Sequence, residues 1–83
     1  MEYQVYVLRD ENGKFYKGVT NNIERRLKEH RHGKTKTTRK MKNIKIVYIE
    51  SFEDIKTARE RELYLKTAAG RRFLKKRINN SPM

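Results

Sequence analysis

The start of the chain leaves little choice of local structure. Residues 3 to 8 alternate and are rich in Tyr and Val, Asp10-Glu11-Asn12-Gly13 supplies turn chemistry, and Lys14-Phe15-Tyr16-Lys17-Gly18-Val19 resumes a strand pattern. The segment predicts a β-hairpin. Thr20-Asn21-Asn22 then offers N-cap oxygens to a helix over Ile23 to His30, with Gly33 placed to end it. Residues 34 to 40 include no apolar side chain and read as an exposed basic loop. Ile44 to Phe52 predicts a third strand, and Glu53 or Asp54 can cap a longer helix from Ile55 to Thr67. Gly70 is expected to separate that helix from a short amphipathic one carrying Phe73, Leu74 and Ile78. The order strand-strand-helix-strand-helix-helix predicts an α+β fold, a three-stranded antiparallel sheet flanked by helices. With 83 residues and neither repeat nor linker, residues 1–78 are expected to form a single domain and 79–83 a frayed tail.

Charge narrows the partner. Twenty-two Lys and Arg against ten Asp and Glu give a net charge of +12, a field that attracts polyanions. A membrane surface would call for a long helix with one strongly apolar face and aromatic anchors, and none is found. Nucleic acid is the expected partner. Charge alone fits a ribosomal or architectural protein equally well, because phosphate neutralisation gives affinity without chemistry. Cysteine is absent, which excludes disulfides and thiolate metal sites. The N-terminus has no basic segment followed by a long apolar run, so a cytoplasmic location is expected.

Chemistry must come from particular side chains. The hairpin can bring Tyr6 and Tyr16 onto neighbouring strands, where they are either a packed aromatic pair or two converging hydroxyls. Arg26 and His30 are four apart and share a helix face beside Ile23 and Leu27. On the second helix, Ile55, Ala58, Glu62, Leu65 and Ala69 follow a spacing of three and four, so Glu62 interrupts an apolar stripe. A carboxylate aimed inward needs a cation or hydrogen-bond partner. Either it pairs with Arg26 or Lys66, or it binds a divalent metal whose remaining ligands are waters and a substrate phosphate. Glu50, Glu53 and Asp54 read as a cap-and-turn group.

With Gln4-Val5-Tyr6, Tyr16-Lys17-Gly18 and the helix 21–30 in this order, the chain resembles the GIY-YIG nucleases. The arginine before a leucine maps to Arg26, the residue four further on to His30, and the metal-binding glutamate, three before a leucine, to Glu62. Val47 to Phe52 and Leu65-Lys66-Thr67 leading to Gly70-Arg71 resemble small stand-alone members similar to the excision-repair nuclease subunit, which implies a role in DNA repair. Gln4 stands where the first signature has glycine, Lys17 replaces the central isoleucine of the second, and Val19 stands where some relatives carry lysine.

The resemblance implies a metal-dependent endonuclease that hydrolyses DNA phosphodiesters with one divalent metal ion, Mg2+ or Mn2+, on Glu62. Its catalytic residues would be Tyr6, Tyr16, Arg26, His30 and Glu62. Tyr6 would relay the proton of the attacking water, Tyr16 would position water or phosphate, and Arg26 would clamp the phosphoryl oxygens. A tyrosine of ordinary pKa near 10 is only about 0.1% ionised at neutral pH, so the relay calls on Arg26, Lys17 and the metal to lower it, and predicts an alkaline optimum. His30 is the rival base. Lys14, Lys17, Lys34, Lys36, Arg39, Lys40, Arg71 and Arg72, with Lys45, would contact phosphates around this centre, and a protein partner would supply target choice. The competing reading is a catalytically silent nucleic-acid-binding module on the same fold.

Overall fold

The computed structural model describes residues 2–33 and 40–79. Strands β1 (Tyr3–Arg9) and β2 (Phe15–Thr20) lead into helix α1 (Ile23–Arg31). Strand β3 (Lys45–Phe52) is followed by helices α2 (Ile55–Leu65) and α3 (Ala68–Asn79). The expected α+β architecture is present, with β1 in the middle of the sheet and antiparallel to both neighbours in the order β2-β1-β3.

The centre of the sheet explains a departure from simple alternation. Val5, Tyr6, Val7 and Leu8 are all buried, because helices cover both faces of β1. Val5 and Val7 pack with Ala58 and Leu65 of α2 and with Leu74 of α3. Tyr6 and Leu8 pack in a separate cluster with Tyr16, with Ile23 and Leu27 of α1, and with Ile44. Each such side chain contributes about 1.5–3 kcal/mol when fully buried, so this strand anchors two cores at once.

Short polar contacts set the element ends. Asp10 Oδ1 accepts hydrogen bonds from the amides of Asn12, at 3.0 Å, and Lys14, at 2.8 Å, which closes the hairpin. Asn22 caps α1 by accepting from the Arg25 amide, and the Gly33 amide donates to the His30 carbonyl just beyond its end. Asp54 caps α2 by accepting from the Thr57 amide, as expected, whereas Glu50 departs from the cap-and-turn reading: it lies within β3 and pairs with Arg61 at 3.0 Å.

The junction of the last two helices differs from the expectation. Helix α2 stops at Leu65, and Gly70 lies inside α3. Thr67 makes the break: its hydroxyl donates to the Tyr64 carbonyl at 2.6 Å and accepts from the Gly70 amide at 3.1 Å. The stripe drawn from Ile55 to Ala69 therefore spans two helices, and both of its ends are exposed. Gly70 serves close packing, since a Cβ there would stand 2.0 Å from the Tyr64 carbonyl oxygen and 2.6 Å from Leu65 Cα. Residue 79 belongs to α3, and the rest of the expected tail, 80–83, lies outside the described residues. No described helix is long and apolar enough to cross a membrane.

Gly70→Ala should destabilise the protein by about 1–3 kcal/mol, because backbone atoms must move to admit the methyl group. Alanine's helix propensity opposes this by only about 1 kcal/mol. Urea denaturation of the two proteins measures the difference.

Candidate active site

Sheet register assembles the tyrosines. Tyr6 of β1 lies opposite Gly18 of β2, and Tyr16 lies opposite Leu8, so the aromatic rings are diagonal neighbours on the face covered by α1. Their centroids are 6.2 Å apart. Gly18 makes the arrangement possible, since a Cβ there would lie 2.6 Å from the Tyr6 hydroxyl and 2.7 Å from Cζ. The glycine of the second signature is thus the floor beneath the tyrosine of the first.

Helix α1 brings the other two members. His30 is 2% exposed, and its Nε2 is 2.9 Å from the hydroxyl of Tyr6, itself 1% exposed. The imidazole meets Tyr16 edge-on at 4.8 Å between centroids. The proton in the Tyr6–His30 contact runs either way according to the imidazole tautomer. Arg26, one turn earlier, interacts with the Tyr6 and Tyr16 hydroxyls and pairs with Glu29 at 3.1 Å. Glu29 adds a member to the site that the i,i+3 spacing from Arg26 makes visible in the sequence. These contacts, with Tyr6 first, hold Arg26 above its ordinary range despite partial burial.

Burial decides the titration of the buried pair. It pushes Tyr6 up to about 12, outweighing the opposing contact with Arg26. This corrects the expected downward shift. Burial also lowers His30, and the Arg26 charge lowers it further while Glu29 opposes. At neutral pH the site therefore holds a protonated phenol, a neutral imidazole and a guanidinium cation.

The remaining sequence candidates separate in space. Lys17 follows Tyr16 in a strand, so it points to the opposite face and stands near Arg71 and Lys66, where it cannot assist Tyr6. Lys14, Lys40, Lys45, Arg71 and Arg72 are exposed, whereas Lys34, Lys36 and Arg39 lie outside the described residues. Glu62 is on α2, with its side chain 20% exposed and 3.7 Å from Lys66, one of its two expected ion-pair partners. Among the described residues, neither a hydrogen bond nor an ion pair joins it to the tyrosine cluster. Its carboxylate is only loosely held, beyond hydrogen-bond distance from Lys66, which leaves its hard oxygen donors open to a divalent cation. No group of three or more His, Asp or Glu able to hold a metal occurs among the described residues. The donors present thus fit a metal held by one carboxylate, with water and substrate completing the shell.

Comparison with known proteins identifies the family. The model of the GIY-YIG catalytic domain matches residues 2–79, and the chain belongs to that family, a family of nucleases that act on nucleic acid. Within it, the chain is similar to proteins named UPF0213. It is 43% identical over 63 residues to UPF0213 protein CPE1444 of Clostridium perfringens, covering 75% of this chain and 68% of the relative. A UPF0213 protein of Autographa californica nuclear polyhedrosis virus is 37% identical over 81 residues, covering 95% and 78% of the two chains. The solution NMR structure of UPF0213 protein BH0048 from Bacillus halodurans superposes with a TM-score of 0.58 at 29% identity, over 92% of this chain and 84% of that one.

Two measurements test the buried pair. Because His30 titrates lower when folded than in the unfolded chain, its stabilising contribution is present above about pH 6.5 and lost as pH falls toward the folded value. The limiting slope is about 1.4 kcal/mol per pH unit, and His30→Gln should flatten it in urea midpoints measured across that window. Gly18→Ala should displace the Tyr6 ring and break its contact with His30, visible as a changed imidazole nitrogen shift by NMR.

Proposed function

We propose that the protein is a metal-dependent endonuclease that hydrolyses DNA phosphodiesters at the Tyr6, Tyr16, Arg26 and His30 cluster. The observation that carries this reading is the 2.9 Å contact between the Tyr6 hydroxyl and His30 Nε2, set beside Tyr16 and Arg26. A packed aromatic pair alone needs neither a buried imidazole nor a guanidinium at its hydroxyls.

The chemistry follows from the protonation states. Tyr16 is less covered than Tyr6 and meets substrate first, so it holds the attacking water while Arg26 clamps the phosphoryl oxygens. With the imidazole proton on Nδ1, Nε2 of His30 accepts from Tyr6. The water's proton passes into the pair of tyrosine hydroxyls as the Tyr6 proton passes to Nε2. No free phenolate accumulates, which suits a tyrosine pushed up to about 12. The water oxygen attacks phosphorus in line, and the bond to the leaving oxygen breaks. Glu62 would hold a Mg2+ or Mn2+ ion, which when bound supplies positive charge for the phosphoryl and leaving oxygens. β2 is an edge strand, so a phosphate lying across it is open to groups from both sides of the sheet. Lys14 and Lys40 would add phosphate contacts, and a partner protein would supply target choice.

Supercoiled, branched and flapped DNA with magnesium or manganese tests the reading. The wild type should cut. Arg26→Ala should lower kcat/KM by about 10² to 10³, on the scale of losing one transition-state donor. Glu62→Gln should remove the response to metal. The rate should be level at neutral pH and fall only on the acid side of the ordinary imidazole value of about 6.5, because His30 must be neutral to accept the proton and burial lowers it. If wild type and both variants bind alike and none cuts, the silent binding module replaces this proposal.

A further inference from the structure

The face of the sheet turned away from the tyrosines carries a second basic feature. Arg9, Phe15 and Lys17 project there from the hairpin and meet α3 around a cleft of about 360 Å³. That volume falls within the range of ligand sites. The cleft has an apolar floor of Phe15, Leu74 and Ile78, and a rim of Arg9, Lys17, Arg71 and Lys75. No carboxylate lines it, and none of the four cations forms an ion pair among the described residues.

Two details argue against a merely solvated surface. Arg71 sits in the first turn of α3, where the helix dipole disfavours a cation, and its charge adds to the partial burial that lowers Lys17. Like charges have been gathered where an anion relieves them. Phe15 is 49% exposed, with the Arg9 guanidinium 6.0 Å from its ring centroid. A phosphate explains the rim and leaves the aromatic floor unexplained. A nucleotide uses both, through its phosphate and the flat face of its base.

We propose that this cleft binds one nucleotide of a single-stranded nucleic acid, with the phosphate on Lys17 and Arg71 and the base against Phe15. A duplex offers no free base face without unpairing, so the cleft selects single strands. The site is separate from the tyrosine cluster and stands whether or not that cluster cuts.

Fluorescence anisotropy with a labelled short oligothymidylate, in EDTA so that cleavage cannot enter, tests the proposal. Phe15→Ala should weaken binding about fivefold or more with the salt dependence unchanged. The double variant Lys17→Gln, Arg71→Gln should weaken binding and reduce the slope of log K against log salt by about 1.4, as expected for two lost phosphate contacts. Phe15→Leu keeps the apolar contact but loses the ring, and should resemble Phe15→Ala even if the latter is poorly folded. In wild-type NMR titrations the largest shifts should include Phe15, Lys17, Arg71 and Leu74. Shifts confined to the tyrosine face, with all variants binding as wild type, overturn the proposal. So does displacement by poly-glutamate at equal charge concentration with no sensitivity to Phe15, which would mark an acidic-polypeptide site.

Discussion

The contact between Tyr6 and His30 orders much of the rest. It joins the central strand to α1 inside a region with almost no access to water, so both polar groups must be satisfied there. Its geometry depends on the ring of Tyr6 lying over a residue without a Cβ, which fixes the register of β1 against Gly18. A slip of one residue would turn Tyr6 toward α2 and α3 and put Val5 or Val7 against the imidazole. Fold and site therefore share one constraint.

Sequence order and turn chemistry made the sheet legible. The run Asp10 to Gly13 announces the hairpin, Asn22 and Asp54 announce two helices, and the four-residue spacing of Arg26 and His30 places both on a face toward the tyrosines. Alternation also determines where Lys17 points. Lys17 follows Tyr16 in the chain, but neighbours in a strand face opposite ways. The end of α2 was harder to read because Gly70 looks like a breaker, whereas the Thr67 hydroxyl performs that task and Gly70 answers to packing. The sign of the Tyr6 shift depends on burial set by α1, which a list of nearby charges does not contain.

The positive charge is consequently divided between two surfaces. On the tyrosine side, Arg26 is tempered by Glu29, which holds the guanidinium beside the hydroxyls and offsets part of its effect on His30. On the other side, Lys17 and Arg71 have no such carboxylate partner among the described residues. An ion pair close to the reacting atoms orients a side chain, while uncompensated cations favour binding of an anion from solution. Net charge conceals this division.

The tempering of Arg26 bears on how the proposed relay could engage only with substrate present. In the free protein burial, and after it the guanidinium, lower His30, making the imidazole a weaker base. A phosphate clamped by Arg26 places negative charge beside it, offsets that field and raises the proton affinity of Nε2. The same anion raises Tyr6, so a free phenolate becomes less accessible as the imidazole becomes more basic. Both changes favour direct handover from phenol to imidazole over ionisation of tyrosine to solvent. Substrate binding and base strength are then coupled through one side chain, Arg26.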